Sequence, residues 1–183
     1  MGIVKTTAAV AVTAAALGGG SLALAASSPK GGKVQVFVSG QSPNGGKAKI
    51  LVTGAIGDYG KTISTDKNGK VDPNGNYQLV KLTKGTFVVN ATAFDKKLSQ
   101  NHGGQLNRST CSIVFGGSGP GTVGQGTGAY AGVSGKVTIT ATFAGIQPRY
   151  TSGPHKGQCN LSPKAHTHGQ YEAITAAGHV SFH

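Results

Sequence analysis

The stretch that decides the fold is Gly124-Gln125-Gly126-Thr127-Gly128-Ala129-Tyr130-Ala131-Gly132-Val133-Ser134-Gly135, running into Lys136-Val137-Thr138-Ile139-Thr140-Ala141-Thr142-Phe143. Its second half alternates strictly. Val137, Ile139, Ala141 and Phe143 fall on one side, and Lys136, Thr138, Thr140 and Thr142 on the other. Alternation of period two is the mark of a half-buried β-strand. The first half reads as a glycine-punctuated turn region, because glycine tolerates the positive φ of tight turns without steric cost.

The same alternation recurs outward from this point. Residues 33–39 place Val34, Val36 and Val38 on one face; residues 86–94 do so with Phe87, Val89, Ala91 and Ala93; residues 110–115 with Cys111, Ile113 and Phe115. Further strands are predicted at 49–56, 61–65, 77–82, 171–175 and 179–182. Between them lie Pro43-Asn44-Gly45-Gly46, Asn68-Gly69 and Asn74-Gly75, pairs suited to tight turns, and the short Lys84-Gly85 connection. After the first residues no segment repeats apolar residues with helical spacing, so little helix is expected. Many short strands at this spacing predict an all-β sandwich or barrel. Closure into a barrel would also remove exposed strand edges.

The N-terminus reads as an export signal over 1–25, with cleavage near Ala25/Ala26. Lys5 precedes an apolar run at 8–17, Gly18-Gly19-Gly20 breaks it, and Ala23-Leu24-Ala25 offers small residues to a signal peptidase. The run is shorter than the ~20 apolar residues a membrane span needs, so no transmembrane segment is expected. Residues 26–32 would form a short tail and 33–183 a single domain, secreted and extracellular. In an exported chain the two cysteines, Cys111 and Cys159, are expected to form a disulfide. It would pin the loop-rich segment after Gly145 to the strand containing Cys111.

The net charge is +12 against only five acids, and the cations are nearly all scattered lysines. A dispersed lysine surface keeps a protein soluble and attracts anionic polymers, envelope material or lipid headgroups. Nucleic-acid recognition clusters its cations and adds stacking aromatics. Trp is absent here and no such cluster exists, so a nucleic-acid partner is not expected.

Two glycine strings mimic nucleotide motifs. Gly119-Pro120-Gly121-Thr122-Val123-Gly124 has dinucleotide spacing but is followed by more glycine and a strand instead of a helix. Residues 54–62 resemble a P-loop with one residue too many. No cofactor is expected. His166-Thr167-His168 on a strand would put both rings on one face, and His155 or His179 would supply a third ligand. No acid or thiol joins them and the segment reads as an exposed loop, so a metal site is not expected. For catalysis the candidates are Asp58, between Gly57 and Tyr59, and Glu172, within a strand. A buried carboxylate can serve as general acid or base. Against this, Asp58 also reads as a turn-capping residue and Glu172 as a solvent-facing one. Tyr59, Tyr130, Arg149 and Tyr150 are candidate ligand-binding companions.

The order Thr53-Gly54-Ala55-Ile56-Gly57-Asp58-Tyr59-Gly60-Lys61, Asn76-Tyr77-Gln78-Leu79, Lys84-Gly85-Thr86-Phe87 and Gly126-Thr127-Gly128-Ala129-Tyr130-Ala131-Gly132 resembles the allene oxide cyclase/dirigent family. Small secreted actinobacterial proteins are similar in the last element. The resemblance implies an antiparallel eight-stranded β-barrel, often a homo-oligomer, with an apolar pocket inside. It transfers no catalytic residue. Two functions are therefore expected to compete. One is a non-enzymatic binding or surface module, for a small apolar ligand or anionic cell-envelope material. The alternative is a cyclase- or dirigent-like protein that guides a reactive apolar intermediate, for which Asp58 or Glu172 must point into an open pocket.

Overall fold

The computed structural model describes residues 30–40, 48–100, 104–162 and 164–183. The predicted export signal, most of the predicted 26–32 tail and the turn predicted at 43–46 lie outside the described residues. Among the described residues the strands are β1 (Gly32–Ser39), β2 (Ala48–Gly54), β3 (Asp58–Thr65), β4 (Tyr77–Leu82), β5 (Gly85–Asn90), β6 (Gln105–Asn107), β7 (Ser112–Gly128), β8 (Val133–Ile146) and β9 (Gly169–Phe182), with helix α1 (Thr92–Gln100) between β5 and β6.

Every pairing is antiparallel. The order β5-β4-β3-β2-β1-β9-β8-β7 closes on itself through β5–β7, giving the expected eight-stranded barrel; β6 is a short addition along β7. The closing seam carries a bulge: Thr86 pairs Thr127 and Val88 pairs Gly124, leaving an extra residue on β7, with Gln125 at φ 55°. A bulge bends a strand and sharpens its twist, which suits a closing corner. Val34, Val52, Val80, Phe87, Val137, Ile139 and Val180 face inward from their strands and form the core.

Three expectations are corrected. The glycine-rich run before Gly128 is strand, not turn: β7 continues through it to Gly128 in unbroken register with β8 as far as Val123. Gly116, Gly119, Gly121 and Gly126 permit close approach, whereas a Cβ at Gly124 would meet nothing within 4 Å. A Cβ added at Gly119 would lie 2.8 Å from the Cα of Phe94, so α1 can rest on β7 only where β7 has no side chain. The strand predicted at 86–94 stops at Asn90 and the chain turns into α1. Asn90 Oδ1 accepts the Thr92 N–H at 3.0 Å and caps the helix. Ala91, Phe94 and Leu98 then form its apolar face. Finally, the two short strands predicted at 171–175 and 179–182 are one, β9; Gly178, between the two predicted ranges, runs close against β8, where an added Cβ would meet Val137 Cα at 2.7 Å.

Cys111 and Cys159 form the expected disulfide, with Cα atoms 5.4 Å apart. It ties the β8–β9 connection to the residue preceding β7. Arg149 completes this tie by donating to the carbonyls of Gly157 and Ser109, both at 2.6 Å. No described helix is long and apolar enough to cross a membrane.

Gly119→Leu tests the helix seat. We expect a loss of about 1–3 kcal/mol in denaturant unfolding, the usual cost of overpacking. The β-rich circular dichroism should persist while amide exchange across 92–100 accelerates. Unchanged exchange there would show that α1 does not depend on the gap at Gly119.

Candidate functional site

The inward residues do not fill the barrel. A cavity of about 280 Å³ remains, lined by Val36, Val38, Ile50, Val89, Ile139, Ile174 and Ala176 among others. Its outer rim is built by α1 (Phe94, Asp95 and Leu98) and by residues 73–76. Phe143, stacked on Phe115 with ring centroids 4.9 Å apart, also contributes.

One wall is polar. Thr62 and Ser64 of β3 face Gln78 of β4. Thr62 Oγ1 and Ser64 Oγ lie 3.2 and 3.4 Å from Gln78 Oε1, and Gln78 Nε2 donates to Ser64 Oγ at 3.0 Å. This uses one N–H of an amide that carries two. Two carboxyl groups complete the lining, Asp95 on α1 and Glu172 on β9, both half-buried. Burial raises the pKa of both. Each is therefore protonated more readily than a carboxylate in water.

Asp58 lies elsewhere, in the closed end of the barrel. It is 4% exposed. Its Oδ1 accepts from the Tyr59 N–H at 2.7 Å and the Thr83 hydroxyl at 2.6 Å; its Oδ2 accepts from the Tyr130 hydroxyl at 2.5 Å and the Lys84 N–H at 3.1 Å. Desolvation alone would raise its pKa. The hydrogen bonds from Thr83, Tyr130, Tyr59 and Lys84 outweigh it and hold the group down at about 2. Tyr130 is fully buried, packed edge-on against Phe87, and burial together with the Asp58 charge raises its hydroxyl pKa. Asp58 and Tyr130 thus act as a plug and do not line the cavity.

The remaining candidates are dispersed. Tyr59 points outward and is mostly exposed. Arg149 is engaged with loop carbonyls near the disulfide, and Tyr150 packs against His155. His166 and His168 are exposed and precede β9 rather than sharing a strand; no three His, Cys, Asp or Glu among the described residues come together to hold a metal. Of the sequence candidates only Glu172 lines the cavity. Asp95, Thr62, Ser64 and Gln78 were not anticipated. No family model, no curated protein and no solved structure matches the chain.

The plug makes a pH prediction. Asp58 sits near 2 folded and near 3.8 unfolded, so its stabilisation is fully present above pH 4 and fades as pH falls from about 4 to 2. The shift corresponds to about 2 kcal/mol. In denaturant titrations Tyr130→Phe should cost about 2 kcal/mol at pH 7, as loss of a hydrogen bond to a buried charge does. Asp58→Asn should flatten the acid limb between pH 4 and 2. A wild-type acid limb retained by Asp58→Asn would assign it to another group.

Proposed function

We propose that the protein is an exported barrel that binds a small, largely apolar molecule with one hydrogen-bonding end. The observation that carries this reading is the cavity itself: about 280 Å³ of largely apolar space, with its polar groups at Thr62, Ser64 and Gln78 on one wall and at Asn74, Asn76, Asp95 and Glu172. That volume is at the small end of the ~300–1,000 Å³ typical of ligand pockets. A compact ring system suits it better than a long acyl chain. The apolar wall supplies affinity through area removed from water, and Gln78 fixes orientation. The resemblance of 126–132 to the allene oxide cyclase/dirigent barrels supports an interior ligand. The disulfide is in keeping with export.

A second reading, a cyclase- or dirigent-like guide of a reactive apolar intermediate, is favoured by one observation. Glu172 and Asp95 both line the cavity with raised pKa values. A protonated carboxyl beside an apolar intermediate is a general acid.

Native mass spectrometry of the protein purified from its own medium, beside a denatured control, tests the binding reading. We expect a retained apolar mass, and its loss in Ala176→Phe, which fills the cavity. With no Trp in the chain, 2-naphthol fluorescence gives a clean titration of the emptied protein. Saturable binding to the wild type and none to Ala176→Phe is expected. A bare mass together with no saturable naphthol binding would sink the proposal. Glu172→Gln separates the two readings: under binding alone the retained molecule is unchanged, whereas under guidance its identity changes.

A further inference from the structure

We propose that the outer face of β1–β3 docks on an anionic lipid bilayer. Three large apolar side chains stand exposed there in one cross-strand row: Phe37 of β1 opposite Leu51 of β2, and Leu51 opposite Tyr59 of β3. They are 45%, 48% and 65% exposed. The alternation that turns Val36, Val38, Ile50 and Val52 inward would ordinarily put polar residues in these positions. Neighbouring strands are ~4.8 Å apart, so the row is a continuous apolar strip about 10 Å long.

A second row lies two residues along the same strands. Lys49 stands opposite Lys61, and Lys61 opposite Lys81 of β4. Like charges directly opposite destabilise a sheet. The register places no acid beside them: the outer neighbours of the row are Ser39 on β1 and Thr86 on β5. Three uncompensated cations about 7 Å from an apolar strip form an amphipathic surface. The tyrosine hydroxyl and lysine ammonium groups suit the headgroup layer, and Phe37 and Leu51 suit the acyl boundary beneath it.

Charge complementarity selects the occupant. A second copy would bring three more lysines into the joint, on a chain of net charge +12, with no acid to meet them. A soluble polyanion would satisfy the lysines and leave the apolar strip wet. An anionic bilayer satisfies both rows at once.

Sedimentation with vesicles of phosphatidylglycerol and phosphatidylcholine, against pure phosphatidylcholine, is the test. The wild type should bind the anionic vesicles and not the neutral ones. Lys49→Gln/Lys61→Gln/Lys81→Gln should lose about a hundredfold in affinity, the sum of three headgroup attractions. The charge-matched Lys67→Gln/Lys70→Gln/Lys156→Gln control should lose less than about tenfold. Phe37→Ser/Leu51→Ser changes no charge and should also lose at least about tenfold. All substitutions are at exposed positions, and thermal melts confirm folding. Equal loss in both lysine triples would overturn the proposal in favour of net charge alone. Indifference to Phe37→Ser/Leu51→Ser would overturn it in favour of a polyanion. A dimer in sedimentation equilibrium abolished by the same pair would overturn it in favour of self-association.

Discussion

Asp58 is an ionised carboxylate sealed into the apolar end of a β-barrel, and four hydrogen-bond donors make that tolerable. A buried charge without partners costs far more than a domain of this size can spare. Here the donors come from separate parts of the chain. Tyr59 belongs to β3, Thr83 and Lys84 form the β4–β5 turn, and Tyr130 sits in the β7–β8 turn. One side chain therefore holds three corners of the barrel together. Because Tyr130 and Phe87 pack over this end, the cavity is blind there and opens at the α1 end. The site's one-ended geometry is a consequence of where the charge is satisfied.

Most of the barrel was legible because a strand with one buried face must alternate. Residues 33–39 and 136–144 show it plainly, and their structures agree. Glycine in β7 reads locally as turn, yet what requires glycine at 119 is a helix contributed from elsewhere, a contact no local pattern encodes. Helix α1 was within reach. Asn90 as cap and Ala91, Phe94 and Leu98 at helical spacing are all in the sequence, but the preceding Phe87-Val88-Val89 carried the strand reading past its end.

The site was only partly legible. Alternation says which residues share a face without saying which face is inside. Glu172 is in phase with Ile174, Ala176 and Val180, so an inward position could be read once β9 was seen as continuous. Thr62 and Ser64 could not be found that way. Ile63 lies between them, and hydrophobicity favours the wrong face; the two hydroxyls are tolerated inside because Gln78 on the next strand bonds both. Asp58 stands out in the sequence as a carboxylate beside glycines, but three of its four donors, Thr83, Lys84 and Tyr130, are far from it in sequence, and its place away from the cavity could not be read there.

The two ends of the barrel shift their carboxylates in opposite directions. At the closed end fixed donors overcome desolvation, and Asp58 stays ionised across the neutral range. At the open end burial dominates for Asp95 and Glu172, and both move toward the protonated form. An occupant of the cavity changes water access at the open end and leaves the closed end as it is. Any molecule that excludes water from the rim pushes Asp95 and Glu172 further up, and one bringing a donor pulls them back. The two carboxyl groups that line the cavity are thus distinct from the one that ties the barrel's turns together, so a change of charge at Asp95 or Glu172 leaves the hydrogen bonds to Asp58 in place.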